Sequence, residues 1–163
     1  MKDIKYLTKD LEKLVEDAVA ESAVEIRYGL QHKGPWWTGS FGKNWAISPT
    51  PVEPTLPRDL DVDVPATRVP TRAGKITVPF GSPVYIGNKV EYAGFAVNNP
   101  SSKLPNEEGE LVTYAQHLQT KKSTVSDDIP NKPRWWPIYL KHKSFLPADM
   151  DKGFSKAGFS ITS

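Results

Sequence analysis

The 163-residue chain is predicted to adopt an α+β fold, with a long N-terminal helix packed on a mainly antiparallel β-sheet, a proline-rich extended arm or hairpin, and a short C-terminal helix. Three observations predict it. Apolar residues recur at steps of three and four from Asp3 to Gln31. Eight of the 15 prolines crowd between positions 49 and 83, a density that forbids helix there and confines any strand to edges or short pieces. Beyond them come short β-branched and aromatic runs punctuated by Gly and Asn. The length predicts one domain over residues 1–163: the helix over 1–33, the arm or insertion over 49–83, and the sheet with the C-terminal helix over 84–163.

Each element has its own signal. In the first, Ile4, Leu7, Leu11, Leu14 and Ala18 share a stripe joined by Val15, Val19, Ala23, Ile26 and Leu30. Asp3 can cap an outer start and Thr8 an inner one, and Gly34-Pro35 after His32 and Lys33 is a stop. Between Trp36 and Ile47, Thr38 or Ser40 can cap a short turn leading into a strand. Within the proline-rich segment, Leu60, Val62 and Val64 alternate with Asp59, Asp61 and Asp63, and Lys75–Val78 offers a second short strand. Val84–Ile86 reads as a strand, Gly87–Lys89 as a turn, and Val90–Ala93 as a second strand or a bend. Asn98–Gly109 is polar and aperiodic and is expected to be a surface loop. A short helix is expected over Thr113–Lys122, a strand or aromatic edge over Arg134–Leu140, and a last helix after Ser144–Met150 with Phe154 and Ala157 one turn apart.

Composition narrows the chemistry. With no cysteine, the chain has neither disulfides nor thiolate metal sites. Its charges, 21 Lys and Arg against 19 Asp and Glu, are scattered instead of gathered into the basic face that nucleic-acid binding needs. The opening residues mix charges and do not read as a signal peptide, and no apolar run is long enough to cross a bilayer, so no membrane partner is expected. Five Trp, six Tyr and six Phe favour packed cores and protein interfaces.

No catalytic constellation stands out, and no enzyme activity, metal or cofactor is expected. His32, His117 and His142 fall in no paired metal-binding spacing. Asp59, Asp61 and Asp63 carry hard oxygen ligands, but their alternation with aliphatics is what a half-buried strand produces. Thr38–Gly42 lacks the Lys-hydroxyl ending of a phosphate loop, and Asp127-Asp128 beside Ile129-Pro130 reads as a turn. The doublets Trp36-Trp37 and Trp135-Trp136 can act as stacking platforms for sugars or peptides, or can divide between the core and a subunit contact, with the second use favoured.

Three segments, in order, resemble the tail-completion or head-tail joining proteins of tailed bacteriophages, the minor tail-component family. They are Lys33–Trp45 after the helix, with its Pro35 and Thr38-Gly39; Tyr85–Val97, with its Tyr92-Ala93; and Lys143–Ala148, with Phe145-Leu146-Pro147-Ala148 before the last helix. The long proline-rich insert between Ser48 and Pro83, and Ser144 where the family often has proline, depart from the pattern. The resemblance implies a virion neck or tail protein that performs no reaction. It would form a ring, commonly of six copies, that completes the tail and joins it to the head connector. Implied partners are further copies of itself, portal, adaptor or other neck proteins, the tail tube, and DNA in passage through the lumen.

On this reading the expected assembly contacts are Trp36, Trp37, Tyr92, Phe95, Trp135, Trp136, Phe145 and Leu146, and Asp59, Asp61 and Asp63 are candidates to line the lumen, with an exposed outer face as the alternative. The alternative is a carbohydrate- or peptide-binding module using the tryptophans as platforms.

Overall fold

The computed structural model describes residues 4–35, 39–57, 69–98, 103–105, 111–113, 135–141 and 143–159. Its first element, α1 (Ile4–Lys33), carries the expected stripe and ends where Gly34 N–H donates to the Leu30 carbonyl at 3.1 Å, with His32 and Lys33 in the last turn. Thr8 is no cap: it lies inside the helix, where its hydroxyl donates to the Ile4 carbonyl. The two halves of the stripe fare differently. Ala18, Ala23, Val24 and Leu30 are buried, whereas Ile4 and Leu11 remain 80% and 57% exposed.

A short helix, α2 (Ser40–Lys43), follows and buries Phe41. Gly39 caps it in the left-handed conformation without a side-chain bond, so the capping expected of Ser40 gives way to a glycine turn, and Thr38 lies outside the described residues. Strand β1 (Trp45–Ser48) then pairs antiparallel with β2 (Tyr85–Asn88), Trp45 opposite Asn88 and Ser48 opposite Tyr85. Gly87 and Asn88 therefore extend the strand, where a turn was expected. The buried Asn88 amide explains this: it donates to the Phe41 carbonyl at 2.7 Å and accepts from Val90 N–H at 3.1 Å, which ties the strand end to α2. The chain bends at Glu91-Tyr92, the second of the two expected alternatives, and enters a helix, α3 (Ala93–Asn98).

Two further expectations are corrected. Lys103–Pro105 (β3) pairs antiparallel with Leu111–Thr113 (β4) inside and beside the stretch expected to be loop and helix. Residues 114–122 of that expected helix lie outside the described residues. Trp135–Lys141 is a helix, α4, not a strand. Trp136 and Tyr139 sit three residues apart and so share one helical face, and Pro137 falls in the first turn, where a backbone N–H has no intrahelical acceptor.

The last helix, α5 (Leu146–Lys156), has Pro147 in its first turn. It ends in a Schellman motif: Gly158, at φ +97°, donates to the Ser155 carbonyl, Phe159 N–H donates to the Phe154 carbonyl, and the two phenyl rings meet edge to face at 5.4 Å.

The chief partner of α1 is α5, with β1 second, so the long helix packs mainly on another helix and only partly on a sheet. Small residues set the crossing. A Cβ added at Gly153 would come within 2.3 Å of the Ser22 backbone, and one at Gly29 within 1.8 Å of the Asp149 carboxylate. The adjoining core holds Leu30, Phe41, Trp45, Val90, Val97 and Tyr139, each large side chain contributing about 1.5–3 kcal/mol on burial.

The described portions of the proline-rich segment run extended along their own subunit. Thr55 and Leu56 N–H both donate to the Lys89 carbonyl, Thr71 N–H to the Gln31 side chain, and Phe80 N–H to the Glu16 carboxylate. The strand expected over Lys75–Val78 is absent: this stretch faces a helix, which offers no ladder of backbone partners, and it buries only Val78.

Candidate functional site

Of the expected assembly residues, Trp36 and Trp37 lie outside the described residues, as do the side chains of Phe95 and Trp135 and the whole of Asp59, Asp61 and Asp63. The other four converge on the core. Trp136 stacks between Trp45 and Tyr139 at 6.3 and 6.0 Å, and Phe145 tilts against Tyr139 at 6.1 Å. Tyr92 and Leu146 pack against the same cluster.

Behind the aromatics lie two buried carboxylates that sequence patterning did not single out. Asp149 accepts from Lys33 Nζ at 2.6 Å and from the Tyr139 hydroxyl at 3.2 Å. Burial first, then the Asp149 charge, pushes the Tyr139 phenol well above its usual pKa, so it stays a donor. Glu25, 2% exposed, is clasped by Arg72 from the proline-rich segment and by Lys156 from α5. Burial raises its pKa, but the hydrogen bonds and charges of the two cations outweigh this and hold it below the ordinary carboxylate value. A signal for Glu25 was present: it sits seven residues past Ala18 on the Ile4–Leu11–Ala18 line, and a carboxylate on an apolar stripe demands partners.

Two features face outward. One is the N-terminal end of α1, where Ile4, Tyr6, Leu7 and Leu11 are exposed together. The helix runs beyond the body that supports its second half, leaving an apolar face of the kind that marks interaction surfaces.

The other is a groove of about 370 Å³ between β1 and residues 72–76, within the size range of ligand pockets. Arg27, Lys43, Arg72 and Lys89 line it with Ile47 and Ile76, and none of its lining residues is acidic. Arg27 is held rigidly, Nε donating to the Trp45 carbonyl and Nη1 to the Thr71 carbonyl, both at 2.7 Å. Its guanidinium is partly desolvated, which lowers its pKa, and among the described residues it has no carboxylate partner. Lys43 and Lys89 are exposed and likewise unpaired, whereas Arg72 is committed to Glu25. Sequence order hides this cluster, because its cations come from α1, α2 and the turn after β2.

Among the described residues, no group of three His, Asp or Glu side chains is placed to hold a metal ion, and no helix is long and apolar enough to cross a membrane. No family model, curated protein or solved structure matches the chain.

Proposed function

We propose that this chain is a structural assembly subunit of a bacteriophage neck or tail, forming a ring that completes the tail and joins it to the head connector around a channel for DNA. The observation that carries the assembly role is the overhanging end of α1, whose Ile4, Leu7 and Leu11 stripe is exposed in the isolated chain. About two turns of unsupported apolar helix are costly to leave in water, and a neighbouring subunit or an adjoining ring would cover them. The specific place in a virion rests on the resemblance of Lys33–Trp45, Tyr85–Val97 and Lys143–Ala148 to the joining proteins.

With residues 49–57 and 69–84 laid against their own α1 and β2, we assign any reach toward a neighbour to residues 58–68. In the glycan- or peptide-binding alternative Trp136 would be a platform, but its ring is engaged in stacking with Trp45 and Tyr139, which works against that reading.

Native mass measurement with negative-stain imaging of the purified protein tests the proposal. A closed ring, alone or on addition of tails or connectors, is the expected result. A monomer under all three conditions overturns it.

A further inference from the structure

The groove presents three positive charges that nothing on its walls neutralises. Arg27 is fixed by two carbonyls and is partly withdrawn from water, so its guanidinium is held ready for a negative group that the groove lining itself does not supply. Lys43 and Lys89 stand at the rim. The floor is part aliphatic, through Ile47 and Ile76, which a bare phosphate would leave in water. Among the described residues β1 has a strand only on its β2 side; on its other side Arg27 Nε holds the Trp45 carbonyl, and the groove separates β1 from residues 72–76.

A segment carrying carboxylates interleaved with aliphatics would meet both the cations and the aliphatic lining. One stretch of this sequence has that pattern: Asp59-Leu60-Asp61-Val62-Asp63-Val64. In an extended chain its three carboxylates would fall on one face at intervals of roughly 6.6 Å, with the aliphatics on the other.

We propose that the groove beside β1 receives Asp59–Val64 of a second copy of this chain, the three carboxylates meeting Arg27, Lys43 and Lys89. Donor and acceptor are different surfaces of one chain, so the contact is head-to-tail, the type that gives a ring when the rotation between copies closes and a filament when it does not. The inference rests on the assembly reading for the identity of the occupant, and it gives Asp59, Asp61 and Asp63 a destination other than the lumen.

The test uses a labelled synthetic peptide of residues 58–65 and, as receptor, the full chain with Asp59, Asp61 and Asp63 changed to Asn so that its own donor is silent. Fluorescence anisotropy should show saturable binding. Binding should weaken about tenfold in a receptor also carrying Lys43→Glu and Lys89→Glu, two exposed residues without partners. It should weaken again as ionic strength rises from about 0.01 to about 0.1 M, which shortens the Debye length from about 30 to about 10 Å. Absent binding, or equal binding by the Lys43→Glu/Lys89→Glu receptor or by a peptide with Asn at the three acidic positions, overturns the proposal. So does complete displacement by equimolar inorganic phosphate or a short oligonucleotide.

Because the chain has no cysteine, an Asp61→Cys/Lys89→Cys variant reports the source directly. Disulfides between chains support the proposal, and disulfides only within chains overturn it. Peptide binding by a wild-type chain that never forms rings would overturn the ring reading alone. Rings that persist in both the Asp→Asn and the Lys→Glu variants would overturn the groove proposal alone.

Discussion

Glu25 shows how one residue ties three parts of the chain together, since its two cations come from the proline-rich segment and from α5. Removing either cation leaves the other, and each partner is half-exposed, so Arg72→Ala or Lys156→Ala alone should cost about 1 kcal/mol or less. Removing both strands a buried carboxylate, and the double variant should lose about 3–5 kcal/mol, a non-additivity that urea titration will reveal. The pH dependence has a definite sign. Because the folded pKa of Glu25 lies below its ordinary value of 4.5, its contribution is fully present above that value and is lost as pH falls through the folded pKa. Melting temperature should therefore drop on acidification below pH 4.5, and drop less steeply in Glu25→Gln. At the helix end, Gly158→Ala should cost about 1–2 kcal/mol, because an L side chain is strained at φ +97°.

Among the elements, α1 was readable from end to end because a single period repeats over its 30 residues. Helix α4 was not. Two adjacent tryptophans and a proline imitate a strand edge, and the decisive signal, Trp136 and Tyr139 on one helical face, is only two residues long. The strand expected at Lys75–Val78 failed for a complementary reason: β-propensity needs an open sheet edge to act on, and a helix lay there instead. That α1 pairs with α5 was also hidden, because close packing through Gly29, Ser22 and Gly153 leaves no apolar pattern to read. Gly153→Ala tests this contact. Helix propensity alone favours alanine by about 1 kcal/mol, yet the added methyl meets Ser22 backbone that cannot yield without separating the helices. A net loss of about 1–3 kcal/mol is expected in denaturant titration. At the other end of α1, Leu7→Lys with Leu11→Lys removes only exposed side chains, so stability should stay within about 0.5 kcal/mol of wild type while assembly is lost.

For the whole molecule, the α+β class, the long first helix and the short last one were legible, whereas the tertiary pairing and both charged clusters were not. Clusters such as Glu25 with Arg72 and Lys156, or Arg27 with Lys43 and Lys89, gather residues from distant segments, and only the fold brings them together. The aromatic residues put forward as contacts illustrate the same limit: composition says that Trp136, Tyr92, Phe145 and Leu146 will pack, but not against what. The pairing of α1 with α5 also governs when the fold can form. More than a hundred residues separate Ser22 from the Met150 carbonyl it bonds, so the contact closes a very long loop and raises the contact order of the chain. During synthesis α1 emerges more than a hundred residues ahead of its main partner, and until α5 follows its apolar face must wait in solvent or with a chaperone. Chains truncated before Leu146 should accordingly be protease-sensitive along α1. On the proposed assembly reading, completion of α5, not of α1, is then the step that readies the chain for its neighbours.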